Sequence, residues 1–139
     1  MLRKLHKYAN PNKFNSIIMP IKNVCLYTAL PLIVIGLIIG LFFSPPDYQQ
    51  GETVRIMYIH VSSAWISLFA YVLIFFLSVS YLIWKFPLFV LMAKEIPFVA
   101  IIFTLITLIT GSLWGKPTWG TYWVWDARLT SFLILLFIY

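Results

Sequence analysis

From Val24 to Phe43 the chain carries no Asp, Glu, Lys or Arg. About 20 residues at a rise of about 1.5 Å each make a helix roughly 30 Å long, one hydrocarbon thickness of a bilayer. In lipid every backbone N–H and C=O needs an internal partner, so such a run is confined to a helix. Pro31 predicts a kink, which membrane helices tolerate, and Ser44-Pro45-Pro46-Asp47 stops the span. Composition agrees: 62% of residues are hydrophobic and 10% charged, which excludes an ordinary soluble domain. The 139 residues leave room for one membrane unit of three or four spans.

Ahead of this run stand Arg3, Lys4, Lys7, Lys13 and Lys22, with no acid among them. The pattern is similar to a signal-peptide n-region or a mitochondrial presequence. The apolar run behind it is too long for a signal peptide, and Gly40 to Ser44 lacks a small-x-small cleavage site, so the segment is expected to be retained. Net charge is +6; beside a span, leaflet charge and topology account for it, and nucleic acid is not expected as a partner. His6 reads as a solvated cytoplasmic residue. Cys25 is the one cysteine, which excludes an internal disulfide or a thiolate cluster and leaves it a small apolar residue of the first span.

Tyr48 to Met57 is polar, with Glu52 and Arg55 as partner charges for Asp47, and reads as a loop or interfacial turn. Tyr58 to Trp84 is the second span. Its residues His60, Ser63, Ala64, Ser67, Tyr71 and Ser78 recur at helical spacing, with Trp65, Ile66, Phe69, Leu73 and Phe76 opposite them. Lipid cannot satisfy the polar face, which must look into a bundle or a wet cavity. Lys85 to Glu95 predicts a connection too interrupted by Pro87 and two lysines to be a span. Pro97 to Leu113 is the third span, with Ala100, Thr104, Thr107 and Gly111 on one stripe suited to close helix packing. Asp126 can cap a fourth helix from Ala127 to Tyr139. About 13 residues reach roughly 20 Å and cannot cross the core, so an incomplete chain is expected. The fold class is therefore all-α integral membrane: three complete spans, the start of a fourth, and an external Trp-rich segment.

Orientation follows from the cations of the short loops. With the N-terminus cytoplasmic, the inner side holds Arg3, Lys4, Lys7, Lys13, Lys22, Lys85 and Lys94, and the outer side only Arg55, Lys116 and Arg128. That bias places His60 and the Trp-rich segment at the same external face.

The Trp-rich segment is W-G-K-P-T-W-G-T-Y-W-V-W-D, Trp114 to Asp126, with four of the six tryptophans. Gly115, Pro117 and Gly120 predict that it is not one uniform helix. An interfacial aromatic belt would explain one or two of these rings. Trp114, Trp119, Trp123 and Trp125, edged by Lys116, Asp126 and Arg128, better suit a large planar ligand with an apolar body and anionic substituents, such as a porphyrin. His60 lies at the same level, and a neutral imidazole is an ordinary axial ligand of haem iron. Arg55, Lys116 and Arg128 could pair with propionates. The bland alternative for His60 is a hydrogen bond to Ser63 or another helix. Met57 lies one turn away on the same side, so no second axial ligand is visible.

R-I-M-Y-I-H-V (Arg55 to Val61) and T-G-S-L-W-G-K-P-T-W-G-T-Y-W-V-W-D-A-R-L-T-S (Thr110 to Ser131) resemble the CcmC family, the haem-handling membrane proteins of cytochrome c maturation, whose "WWD" domain the second string is similar to. The resemblance runs from the first span to the C-terminus. It implies a single membrane domain over residues 1–139, the N-terminal part of a CcmC-like protein, with residues 114–126 as a haem platform at the outer surface. It also implies transiently bound haem b, His60 as one axial ligand, and delivery to a CcmE-like chaperone beside CcmA, CcmB and CcmD. The membrane would be a bacterial inner membrane or a mitochondrial one. Members of the family have six spans and a second axial histidine in a later external loop, which this sequence does not reach. Tyr122 stands where a Trp is usual, and Ser62 replaces a frequent Pro.

Two other classes are open on the residues alone. A haem- or quinone-coupled oxidoreductase subunit usually carries paired histidines in its spans, and a structural or transporter subunit would use the tryptophans only as a belt. Neither a Ser-His-Asp set nor paired carboxylates nor a phosphate loop is present, so an enzyme is not expected.

Overall fold

The computed structural model describes residues 11–139, and the roles expected of Arg3, Lys4, His6 and Lys7 fall outside them. Four helices follow in order: α1, Pro11–Ile38, continued by one wider π-helical turn, Ile39–Phe43; α2, Val54–Trp84; α3, Pro87–Trp119; and α4, Ala127–Ile138. The three long helices have the length and hydropathy to cross a bilayer; α4 is shorter. The chain is an all-helical membrane protein, as its charge-free runs require.

Helix limits differ from the expectation in one direction: every long helix is longer. The first is already helical at Pro11, the first described residue, well ahead of Val24, and the second starts at Val54, not Tyr58. The expected connection Lys85 to Glu95 shrinks to Lys85 and Phe86. Pro87 sits at the first helical position, where its fixed φ suits the helix and its missing N–H costs nothing. Pro97 and Pro117 are absorbed inside α3. Proline interrupts helices in water, whereas helix geometry in lipid persists because no solvent competes for the backbone.

The turn at Lys85 makes α2 and α3 an antiparallel hairpin. Lys85 adopts a left-handed φ of 52°, and its N–H donates to the Tyr81 carbonyl at 2.8 Å. The hairpin is the main interface of the fold. On α2 its seam is Ser63, Ser67, Ala70 and Leu77; on α3 it is Ala100, Thr104, Thr107, Leu108 and Gly111, all buried. The α3 stripe is the expected one. On α2, Leu77 is buried on the seam and Ser78 is exposed, one position off the expected face. Small side chains let the two backbones approach, the usual device where lipid removes any hydrophobic drive between helices. Ser67 Oγ and Thr104 Oγ1 lie 2.5 Å apart at its centre, and Thr104 Oγ1 also donates to the Ala100 carbonyl at 2.7 Å.

α1 is exposed along most of its length and touches the hairpin chiefly through its final turn. There Gly40 is buried against the Tyr58 ring, and the Ser44 and Tyr58 hydroxyls are 2.7 Å apart. Residues between α1 and α2 fold on Asp47, whose carboxylate accepts from the N–H groups of Gln49 and Gln50 at 2.9 and 2.8 Å. Arg55 pairs with Glu52 at 3.0 Å and donates to the Ser44 carbonyl at 3.1 Å. Asp47 therefore shapes the turn, and Glu52 alone takes the arginine. α4 docks back on the hairpin through the Tyr139 hydroxyl, which donates to the Ser67 carbonyl at 2.6 Å.

Candidate functional site

The Trp-rich segment is half helix and half turn. α3 runs through Gly115 and Pro117 to Trp119 and ends at Gly120, whose φ of 76° is the left-handed cap that glycine adopts freely. The Lys116 ammonium donates to the Gly120 carbonyl at 3.1 Å and lies 4.9 Å from the Tyr122 ring centre, closing the turn over itself. Gly115 is buried because the Trp119 ring folds back over it; a Cβ there would fall 2.9 Å from Trp119 Cε3. A side chain at 115 would push that ring outward.

Asp126 starts α4. Its Oδ1 accepts from the Leu129 N–H at 2.9 Å, and its Oδ2 meets Arg128 Nε at 2.9 Å and Nη2 at 2.7 Å. The Leu129 N–H first, then the Arg128 guanidinium, hold the Asp126 carboxyl below its usual range. A carboxyl lowered by folding stabilises above its unfolded pKa and loses that contribution as pH falls through the folded one. Hydrogen exchange at the Leu129 amide should therefore be slow at neutral pH, after correction for intrinsic rates, and quicken in acid. Asp126→Asn should remove most of that acid step. An acid step of unchanged size in the Asn variant would mean another group sets it.

Between the ends of α2, α3 and α4 lies a cavity of about 180 Å³. α2 supplies His60; α3 supplies Thr107, Leu108, Gly111, Trp114 and Trp119; α4 supplies Arg128, Leu129 and Phe132. His60 and Trp114 are 6.0 Å apart between ring centres, tilted at 47°. Trp114 is held from behind by its indole N–H, which donates to the Gln50 side-chain carbonyl at 3.1 Å. The Arg128 guanidinium stands 5.1 Å from the centre of the Trp119 ring, a cation–π distance. The pocket is smaller than the roughly 300–1,000 Å³ that encloses a drug-sized ligand. It suits the edge of a large apolar molecule with one anionic substituent.

Four of the expected site residues, His60, Trp114, Trp119 and Arg128, thus meet in one pocket. Asp126 touches it through Arg128. The others lie off it. Arg55 is occupied by Glu52 and Ser44, Lys116 by its own turn, and Trp123 and Trp125 stack edge to face at 5.4 Å, with Trp125 77% exposed. The Trp123 indole N–H is buried without a protein partner. Residues not singled out from the sequence are Gln50, Leu108, Leu129 and Phe132. Spacing offered a signal for the last two: Arg128, Leu129 and Phe132 share one face of a short apolar helix. Thr107 and Gly111 stood on the packing stripe and prove to line the pocket as well.

Fold and pocket define a class: a polytopic helical membrane protein whose paired spans and Trp-rich turn enclose an aromatic pocket with one imidazole and one guanidinium. The chain belongs to the CcmC family, heme exporter protein C, whose family model matches residues 4–139. It is 52% identical over 109 residues to heme exporter protein C of Bradyrhizobium diazoefficiens, covering 76% of this chain and 41% of that protein. With the Haemophilus influenzae protein of the same name it shares 40% identity over 139 residues, all of this chain and 56% of the relative. A ccmC-like mitochondrial protein of Marchantia polymorpha is 51% identical over 108 residues, 78% of this chain and 47% of its own length. The chain spans about half the length of the curated relatives it matches.

Proposed function

We propose that this chain handles haem for cytochrome c biogenesis, holding it transiently at the pocket between His60 and the Trp-rich turn and passing it to another protein. The observation that carries this reading is the convergence of His60, Trp114, Trp119 and Arg128 on one apolar cavity. Haem supplies an iron that accepts an imidazole nitrogen and an apolar macrocycle with carboxylate arms. In this reading His60 ligates the iron, the Trp114 and Trp119 rings cover apolar surface, and Arg128 pairs with a propionate, exchanging Asp126 for it. Trp123, Trp125, Arg55 and Lys116, off the pocket, belong to the surface around it, where a haem held by its edge would extend. Residues 1–139 form one membrane domain with 114–126 as its platform. The family context supports a b-type haem, a CcmE-like acceptor and CcmA, CcmB and CcmD as neighbours, in a bacterial inner membrane or a mitochondrial one. Membership of an exporter family favours a transport or maturation component over an oxidoreductase subunit.

The test is titration of hemin into the protein in lipid nanodiscs, read by absorbance. Native protein should show a saturable shift; Trp114→Ala with Trp119→Ala should lose affinity while membrane insertion is unchanged. Failed insertion with unaltered binding per inserted molecule would leave the tryptophans as a belt only.

The cation bias supports a cytoplasmic N-terminus. A reporter active only outside the membrane should work when fused after Asp47 or Tyr122 and be silent after Lys85. The reverse pattern would invert the topology.

A further inference from the structure

His60 makes two polar contacts, both through Nδ1: the Thr107 backbone carbonyl at 3.1 Å and Thr110 Oγ1 at 3.1 Å. The carbonyl can only accept. The Thr110 hydroxyl has one proton, and its closest acceptor is the Ile106 carbonyl at 2.6 Å, with the Thr107 carbonyl at 3.2 Å. With that proton committed to the backbone, Thr110 Oγ1 also presents a lone pair to the ring. A bare Nδ1 would then face two oxygen lone pairs at 3.1 Å; a protonated Nδ1 satisfies both. Gly111 completes the seat, because a Cβ there would fall 3.0 Å from His60 Cε1 and 3.5 Å from Nδ1.

We infer that Thr110 and Gly111, with the Thr107 carbonyl, are positioning residues that hold His60 in its Nδ1–H tautomer and present the Nε2 lone pair to the pocket as the ligand nitrogen. The backbone bond that Thr110 makes to Ile106 is part of the device, since it turns the hydroxyl from donor to acceptor. One α3 turn thus selects which ring nitrogen is basic and where it lies. Hydrogen bonding of the distal N–H fixes tautomer and orientation of metal-binding imidazoles generally. The ligand role of Nε2 rests on the haem reading above; the tautomer does not.

The experiment uses 15N-histidine-labelled protein in lipid nanodiscs, with His6→Gln so that one ring is observed. Without ligand and above the titration of the ring, Nδ1 should show the protonated, pyrrole-type shift and Nε2 the bare, pyridine-type shift. An Nε2–H tautomer, or an even mixture, would overturn the inference. Thr110→Val removes the acceptor at nearly constant volume and should move the ring toward a tautomer mixture, with Thr110→Ser restoring it. Gly111→Ala should displace the ring, and hemin affinity should fall about 10- to 100-fold, the range for loss of an outer partner of a metal ligand. Native tautomer ratios and native hemin affinity in both the Val and the Ala variant would also overturn it. A native protein that shows Nδ1–H but does not bind hemin would support the seat and sink the haem reading, so the two failures are distinguishable.

Discussion

His60→Ala should abolish the spectrum of an imidazole-ligated haem, and added imidazole should restore part of it. The competing role for His60 is a hydrogen bond to α3, worth about 0.5–1.5 kcal/mol. At about 1.36 kcal/mol per tenfold, that amounts to a roughly 2- to 13-fold change in any equilibrium coupled to it. Loss of the iron ligand should exceed this and change the spectrum qualitatively. The ring already lines the cavity, so truncation at Cβ enlarges a space that free imidazole can enter. His60→Asn separates the two roles: its amide can donate to the Thr107 carbonyl but cannot replace an imidazole at iron. Hydrogen bonding alone predicts a near-native Asn variant and no response to imidazole. A native spectrum in His60→Ala would remove His60 from the ligand set.

The four-helix plan was legible because charge-free runs leave a chain in lipid few options. The buried stripe of α3 was legible for a related reason: Ala100, Thr104, Thr107 and Gly111 are small or hydroxylated at helical spacing, which lipid contact does not require. Helix ends were less so. Pro87 and Pro117 read as interruptions and Pro97 as the start of a span, yet the first stands at a first helical position and the other two lie inside α3. The cations show another limit. Arg55, Lys116 and Arg128 look equivalent in sequence as anion partners, but the first two are spent locally, on Glu52 and Ser44 and on the Gly120 carbonyl. Only Arg128 reaches the pocket, because Asp126 caps α4 and turns it over Trp119. The Glu52–Arg55 pair lies three residues apart and could have been anticipated from helical spacing. The alignment of His60 with Thr107 and Thr110 could not, since it depends on how far α2 and α3 slide along one another.

That register is set along the seam, whose tightest contact lies outside the pocket. Ser67, Ala100 and Thr104 are each 0% exposed, so the backbones of α2 and α3 meet there with no slack. Thr104→Leu should be the most damaging single change in the hairpin. Its extra bulk overpacks the contact at a cost of about 1–3 kcal/mol. Loss of the hydroxyl leaves Ser67 without its partner; interhelical hydrogen bonds in membranes average about 0.6 kcal/mol, with a maximum near 1.7. Volume therefore outweighs the hydrogen bond. Thr104→Val, which changes only the hydroxyl, should lose much less stability than Thr104→Leu in reversible denaturation of the reconstituted protein. The effect should also reach the pocket. Thr107 lies one turn above Thr104 and carries the carbonyl that meets His60 at 3.1 Å, so forcing the helices apart should weaken hemin binding from a position outside the cavity. A Leu variant as stable as native, or one as mild as Val, would mean that the seam is loosely packed and that His60 owes its place to something else.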